Sequence, residues 1–199
     1  MVDFSLVSFG TIALALFVAE LTDKDAFLLL AVSTRVRTRV AFSAGATAFV
    51  ITTTIIMTAG SLLVAVVPVL WIRVAGGVVM IAYGLWEARG IIGERAVEAE
   101  ESRIERAGSP LRVFLAMVIA LAALDLAGDA TEVLTIVMVA RYSNFLLVFT
   151  GTVTGLVAAV AVETTLGSRL GRLLTPRRLR YVSVVVFVVL GAIIILSSG

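Results

Sequence analysis

The sequence predicts an all-α integral membrane protein: six transmembrane helices arranged as two inverted-topology three-helix repeats. Three observations lead there. Of the 199 residues, 60% are hydrophobic and the mean hydropathy is +1.11, against roughly 45–50% apolar residues in a soluble domain. Apolar runs of about the 20 residues a span requires alternate with short, arginine-bearing loops. The two halves also carry the same residues at a fixed offset.

The first run covers about residues 4–33 and contains Glu20, Asp23, Lys24 and Asp25. It exceeds the bilayer thickness and must tilt, bend or project. The second, about 40–65, is rich in hydroxyls: Thr47, Thr52, Thr53, Thr54 and Thr58. The third, about 69–88, closes on Trp86 and Glu87. A charged segment follows, mixing Glu94, Glu98, Glu100, Glu101 and Glu105 with arginines, and ends in the turn signal Gly108-Ser109-Pro110. It reads as a solvated, partly helical linker. The fourth run, about 111–140, is again overlong and holds Asp125, Asp129 and Glu132. The fifth, about 145–166, carries further threonines, and the sixth covers about 180–197. The division is then a first repeat at 1–88, a cytoplasmic linker at 89–110 and a second repeat at 111–199.

Basic residues orient these spans. Loops on one side receive Arg35, Arg37 and Arg39; Arg89, Arg95, Arg103, Arg106 and Arg112; and Arg169, Arg172, Arg177, Arg178 and Arg180. The opposite side has Arg73 and Arg141, while Lys24 lies within a span. The positive-inside rule places the thirteen in the cytoplasm and both termini outside it, as expected for a multi-pass protein of a prokaryotic cell membrane. The same rule accounts for the pI near 9.5 without nucleic acid as a partner. The start Met1-Val2-Asp3-Phe4 has no basic segment, and the following run shows no cleavage pattern, so it does not read as a removable signal.

Asp23 matches Asp129, Arg35 matches Arg141 and Gly45 matches Gly151, all at an offset of 106; Arg73 matches Arg180 and Gly84 matches Gly191 at 107. Each repeat holds three spans, an odd number, so the second runs through the membrane in the opposite sense. Transporters built this way hold their site near the midplane at the repeat interface.

The chain has no cysteine and no histidine, which excludes thiol redox relays, haem ligation and soft metal ligands. A metal handled here meets oxygen, favouring hard cations. On an uninterrupted helix, Asp125, Asp129 and Glu132 fall within about 60° of one another. Glu20, Asp23 and Lys24 fall within about 100°, with Asp25 further round. Carboxylates facing lipid are costly, so both faces turn inward. Six acids and one lysine in one chamber cannot all stay ionised at low dielectric. Either protons or cations neutralise them, and alternation between the two states is cation–proton antiport. Lys24 serves as a fixed partner of one carboxylate or as a competitor of the bound cation. Glu163, near Arg169, reads as a snorkelling or paired interfacial acid. Thr47, Thr54, Thr150 and Thr154 are candidate neutral oxygen ligands. Gly45, Gly60, Gly151 and Gly155 read as points of close helix approach, and Trp71, Trp86 and Tyr142 as interfacial anchors.

These motifs resemble those of the small two-repeat calcium/manganese cation–proton exchangers whose eukaryotic members reside in the Golgi. That family carries Glu-x-Gly-Asp-Lys/Arg-Ser/Thr once per repeat. Here the copies read Glu20-Leu21-Thr22-Asp23-Lys24-Asp25 and Leu126-Ala127-Gly128-Asp129-Ala130-Thr131. The resemblance implies six helices and Mn²⁺ or Ca²⁺ exchanged for H⁺ across the bilayer, with no resident cofactor. It implies Glu20, Asp23, Asp129 and Thr131 as cation ligands, and Asp125 in place of the glutamate that Leu126 replaces. Lys24, Asp25 and Glu132 are then the groups coupled to proton charge. A homo-oligomer is one arrangement open to the chain. Two alternatives are an exporter of another solute and an intramembrane aspartyl protease using Asp23 and Asp129. A non-catalytic membrane scaffold is the third.

Overall fold

The computed structural model describes residues 5–87, 93–142, 144–170 and 176–197. Expectations placed on Met1–Phe4, Arg89 and Arg172 lie outside the described residues, as do those on the side chains of Glu87, Glu94, Arg95, Glu105, Arg177, Arg178 and Arg180. Among the described residues there are nine helices: α1 (Leu6–Glu20), α2 (Lys24–Val32), α3 (Thr38–Val66), α4 (Val69–Glu87), α5 (Gly93–Glu105), α6 (Pro110–Asp125), α7 (Ala130–Tyr142), α8 (Phe145–Leu170) and α9 (Pro176–Leu196).

Each overlong run is two helices meeting at its acids. Between α1 and α2 the chain bends by 68°, and between α6 and α7 by 66°. This corrects the helix-face argument, which assumed uninterrupted helices. The cause of the first break is local. Asp23 takes an extended conformation (φ −89°, ψ 173°) and its side chain accepts from the Lys24 amide at 2.7 Å, starting a new helix. In the second break Gly128 sits at φ +97°, a region that L side chains rarely adopt. Asp129 and Glu132 then form a reciprocal cap. Asp129 Oδ1 accepts from the Thr131 amide at 3.3 Å, and Glu132 Oε2 accepts from the Asp129 amide at 3.4 Å. Ser109 caps α6 with Pro110 in its first turn.

Helices α3, α4 and α8 are each long and apolar enough to cross a membrane, and counting each bent pair as one span gives up to five. Helix α9 adds the shorter apolar stretch Val184–Leu196. Large apolar side chains such as Leu62, Trp71, Leu146 and Leu196 cover the outside of the bundle. For a soluble chain that surface would be a liability; for an integral membrane protein it is where lipid sits.

Packing is reciprocal between the halves. Helix α1 lies along α8, and its counterpart α6 lies along α3; α2 also meets α8 as α7 meets α3, while α4 pairs with α9. Backbones approach closely where glycines allow it. A Cβ on Gly151 would stand 2.9 Å from Ile12 Cγ2, and one on Gly45 2.8 Å from Val160 Cγ1. The charged helix α5 docks on α2, with Ile104 buried and Glu101 reaching Arg35 at 3.7 Å.

Candidate cation site

Both helix breaks deliver their acids to one buried place. Asp25, Asp125 and Asp129 each offer an oxygen, and the three oxygens lie within 4.8 Å of one another. All three residues are buried, with Asp25 wholly so. On an uninterrupted helix Asp25 pointed away from its neighbours; as the second residue of α2, beyond the bend, it turns inward. Asp125 is the last residue of α6 and is buried, whereas Leu126, in the motif position of the family's glutamate, is exposed. The acid displaced by one residue is therefore the one that faces the chamber.

Asp23 joins them from its capping position. Its carboxyl stands within hydrogen-bonding reach of Asp129, and its Oδ1 accepts both the Lys24 amide and the Tyr83 hydroxyl, the latter at 2.8 Å. Tyr83, on α4, went unmarked in the sequence, where nothing distinguishes it from an interfacial tyrosine. Thr52 stands beside the Asp125 carboxyl, with its hydroxyl donating to Phe49 O at 3.4 Å. Thr52 is buried on α3, while Thr47, Thr54, Thr150 and Thr154 are exposed. The hydroxyls of Thr54 and Thr150 donate to their own helix at Val50 O and Leu146 O, so these four expected ligands face away from the chamber. Phase was the available signal: Thr52 repeats the buried positions Ala41, Ala44, Ala48 and Phe49, and the exposed threonines do not.

Lys24 spans the two breaks. Its Nζ donates to the Gly128 carbonyl at 3.3 Å and lies within electrostatic range of Asp129, Asp23, Asp25 and Asp125. Thr131 is buried as the second residue of α7. Glu132 is half-buried and holds the Asp129 amide. Glu20 is fully buried at the end of α1 and stands outside the aspartate trio.

Glu163 departs from expectation. It is buried inside α8, not at an interface, and faces Glu20 and Asp23. Among the described residues neither of its carboxylate oxygens has a hydrogen-bond partner. Both oxygens of Glu20, both of Asp25, and Oδ2 of Asp23 and of Asp129 share that condition. Buried polar atoms nearly always find partners. Acceptors so buried in one chamber require compensation by positive charge, as protons or as cations. Asp23 and Asp129 adjoin, so the arrangement does not wall the two motifs apart as a scaffold would.

The family model described as "Divalent cation/proton antiporter GDT1" matches the chain twice, over residues 8–94 and 113–199. No curated protein and no solved structure matches it.

Proposed function

The chain belongs to the GDT1 divalent cation/proton antiporter family, and on that premise we propose that it exchanges Mn²⁺ or Ca²⁺ for protons at the buried carboxylates. The observation carrying this reading is the convergence of Asp25, Asp125 and Asp129 from both broken helices. Three carboxylate oxygens at that spacing suit a hard cation of six or more oxygen ligands. Asp23 completes the acidic wall, positioned by Tyr83. Glu20 and Thr131, which the family motif assigns to the cation, line the same chamber. With no cysteine or histidine, zinc and other borderline metals find no preferred ligand.

Charge forces the coupling. A divalent ion among these acids neutralises two charges; when it leaves, the remaining carboxylates repel in low dielectric and take up protons. Lys24, reaching Gly128 across the breaks, moves its ammonium toward the vacated acids and eases cation release. Asp25, expected as a charge-coupling group, serves as a ligand in this reading, and Glu132, which holds the Asp129 amide, adjusts charge beside that path.

The six-span, inverted-repeat arrangement follows as part of the proposal, with α9 as the sixth span. Reciprocal packing of α1 on α8 and α6 on α3 supports it, as does the offset of 106. Two similar halves, residues 1–88 and 111–199 joined by the linker 89–110, open one site to either side in turn. The arginine bias puts the linker in the cytoplasm and both termini outside the cell membrane. A transporter family also disfavours the protease alternative for the Asp23–Asp129 pair.

The test is uptake of ⁵⁴Mn²⁺ or ⁴⁵Ca²⁺ into proteoliposomes under an imposed pH gradient, with internal pH followed by a trapped dye. Cation entry with matched proton exit is expected, and both vanish in Asp129→Asn. Uptake that ignores the pH gradient, or no uptake of any divalent cation, removes the reading.

A further inference from the structure

The acid on α8 lies where no motif places one. Helix α8 runs along α1 and then α2, and its contacts fix its register against both. A Cβ on Gly155 would meet Ala13 O and stand 3.0 Å from Phe17 N, in α1. On Gly167 it would stand 2.6 Å from Leu30 O, in α2. Glu163 lies between these two points, four residues or about 6 Å from Gly167 along the helix. That height is the gap between α1 and α2, where Glu20 ends the first helix. The residues Gly151, Gly155, Ala159, Glu163 and Gly167 recur every fourth position, so Glu163 occupies the face otherwise kept bare for α1 and α2.

A glutamate on a tightly packed face is costly unless something compensates its charge. Among the described residues no hydrogen-bond donor does so: all four carboxylate oxygens of Glu20 and Glu163 are buried without a partner. Glu20 is not one of the three acids whose oxygens lie within 4.8 Å of one another, and Glu163 is the charged group that acts on it most strongly. The repeat offers no counterpart, since the position equivalent to Glu163 is Met57, buried and apolar. The pair therefore makes the chamber asymmetric.

We propose that Glu20 and Glu163 form a second station for a hard divalent cation, beside the aspartate trio and on the α1–α8 side of the chamber. Resting on the exchanger reading, it adds a waiting position from which one ion passes to the trio. Two facing carboxylates give a divalent ion two to four oxygens, enough for a partly hydrated, loosely held ion. Such sites bind more weakly than a three-carboxylate site of the same rigidity.

The test counts ions rather than transport. Free Mn²⁺ is titrated against the purified full-length chain in detergent and read from its electron paramagnetic resonance signal, with thermal unfolding as a control of fold. The wild type is expected to bind two ions per chain, and Glu163→Gln one. Asp129→Asn also binds one, and the double variant none. Should Glu163→Gln fail to fold, Glu163→Asp replaces it and weakens the looser of the two sites by at least about tenfold. A wild type that binds one ion, a Glu163→Gln with the wild-type count, or a Glu163→Asp with both affinities unchanged overturns the proposal, including the case in which the pair only shares a proton. Loss of pH-driven uptake in the wild type would strike the exchanger reading instead, and the ion count would still decide the second station.

Discussion

Tyr83→Phe removes one hydroxyl and little else. The ring stacks edge-on against Phe187, with centroids 5.3 Å apart at 83°, and phenylalanine keeps that contact. What disappears is the 2.8 Å bond from the hydroxyl to Asp23 Oδ1. Among the described residues Asp23 Oδ2 has no hydrogen-bond partner, so the carboxyl is left with the Lys24 amide, the electrostatic pull of the lysine and its neighbour Asp129. A hydrogen bond to a charged group contributes about 1.5–3 kcal/mol, which corresponds to roughly tenfold to hundredfold in an equilibrium constant. Part of this is recovered by rotation of the carboxyl or by water, placing the expected loss of apparent cation affinity near the lower figure. Concentration dependence of ⁴⁵Ca²⁺ or ⁵⁴Mn²⁺ uptake in proteoliposomes measures it, with thermal unfolding in detergent run alongside. An unchanged affinity with an unchanged melting curve would mean that Tyr83 does not position a carboxylate that matters. A large drop in stability would mean that the hydroxyl holds the bundle rather than the site.

Three further outcomes follow from the same geometry. Asp25→Asn, which takes the negative charge from one of three converging carboxylates, is expected to weaken cation binding more than about hundredfold, beyond the loss typical of outer-shell partners; Mn²⁺ titration checks it. Gly155→Ala places a methyl against the α1 backbone at Ala13 and Phe17 and is expected to destabilise by about 1–3 kcal/mol, whereas Gly10→Ala, with nothing within 4 Å, is expected to raise stability by about 0.5–1 kcal/mol. Gly128→Ala forces a side chain into a positive-φ turn and is expected to cost about 1–2 kcal/mol. It also shifts the carbonyl that accepts from Lys24, so uptake falls with stability.

Much of this architecture was legible because length and apolarity are properties of a run. The run read as about 40–65 is α3 (Thr38–Val66), and that read as about 145–166 lies within α8 (Phe145–Leu170). The bends were harder. An aspartate within an apolar run reads as a residue on a helix face until its backbone is known to cap a new helix, as at Asp23 and Asp129. Gly128 permits the second break without declaring it, and the first has Thr22 in the corresponding place. Asp25 was misplaced for this reason, since a bend of 68° redirects everything beyond it. Glu163 was misread because Arg169 is its nearest basic neighbour in sequence, while its surroundings are set by α1 and α2. The fourfold spacing of small residues around it carried the information, and only a residue that breaks such a stripe reveals that the stripe is occupied.

In the exchange proposed above, the two halves of the chain hold one cation jointly. Diffraction from crystals soaked in Mn²⁺, recorded for its anomalous signal, locates that ion directly. A peak bound by Asp25, Asp125 and Asp129 at about 2.0–2.6 Å is expected. A peak held by residues of one repeat alone, or a chamber that stays empty while Mn²⁺ binds elsewhere, would contradict it.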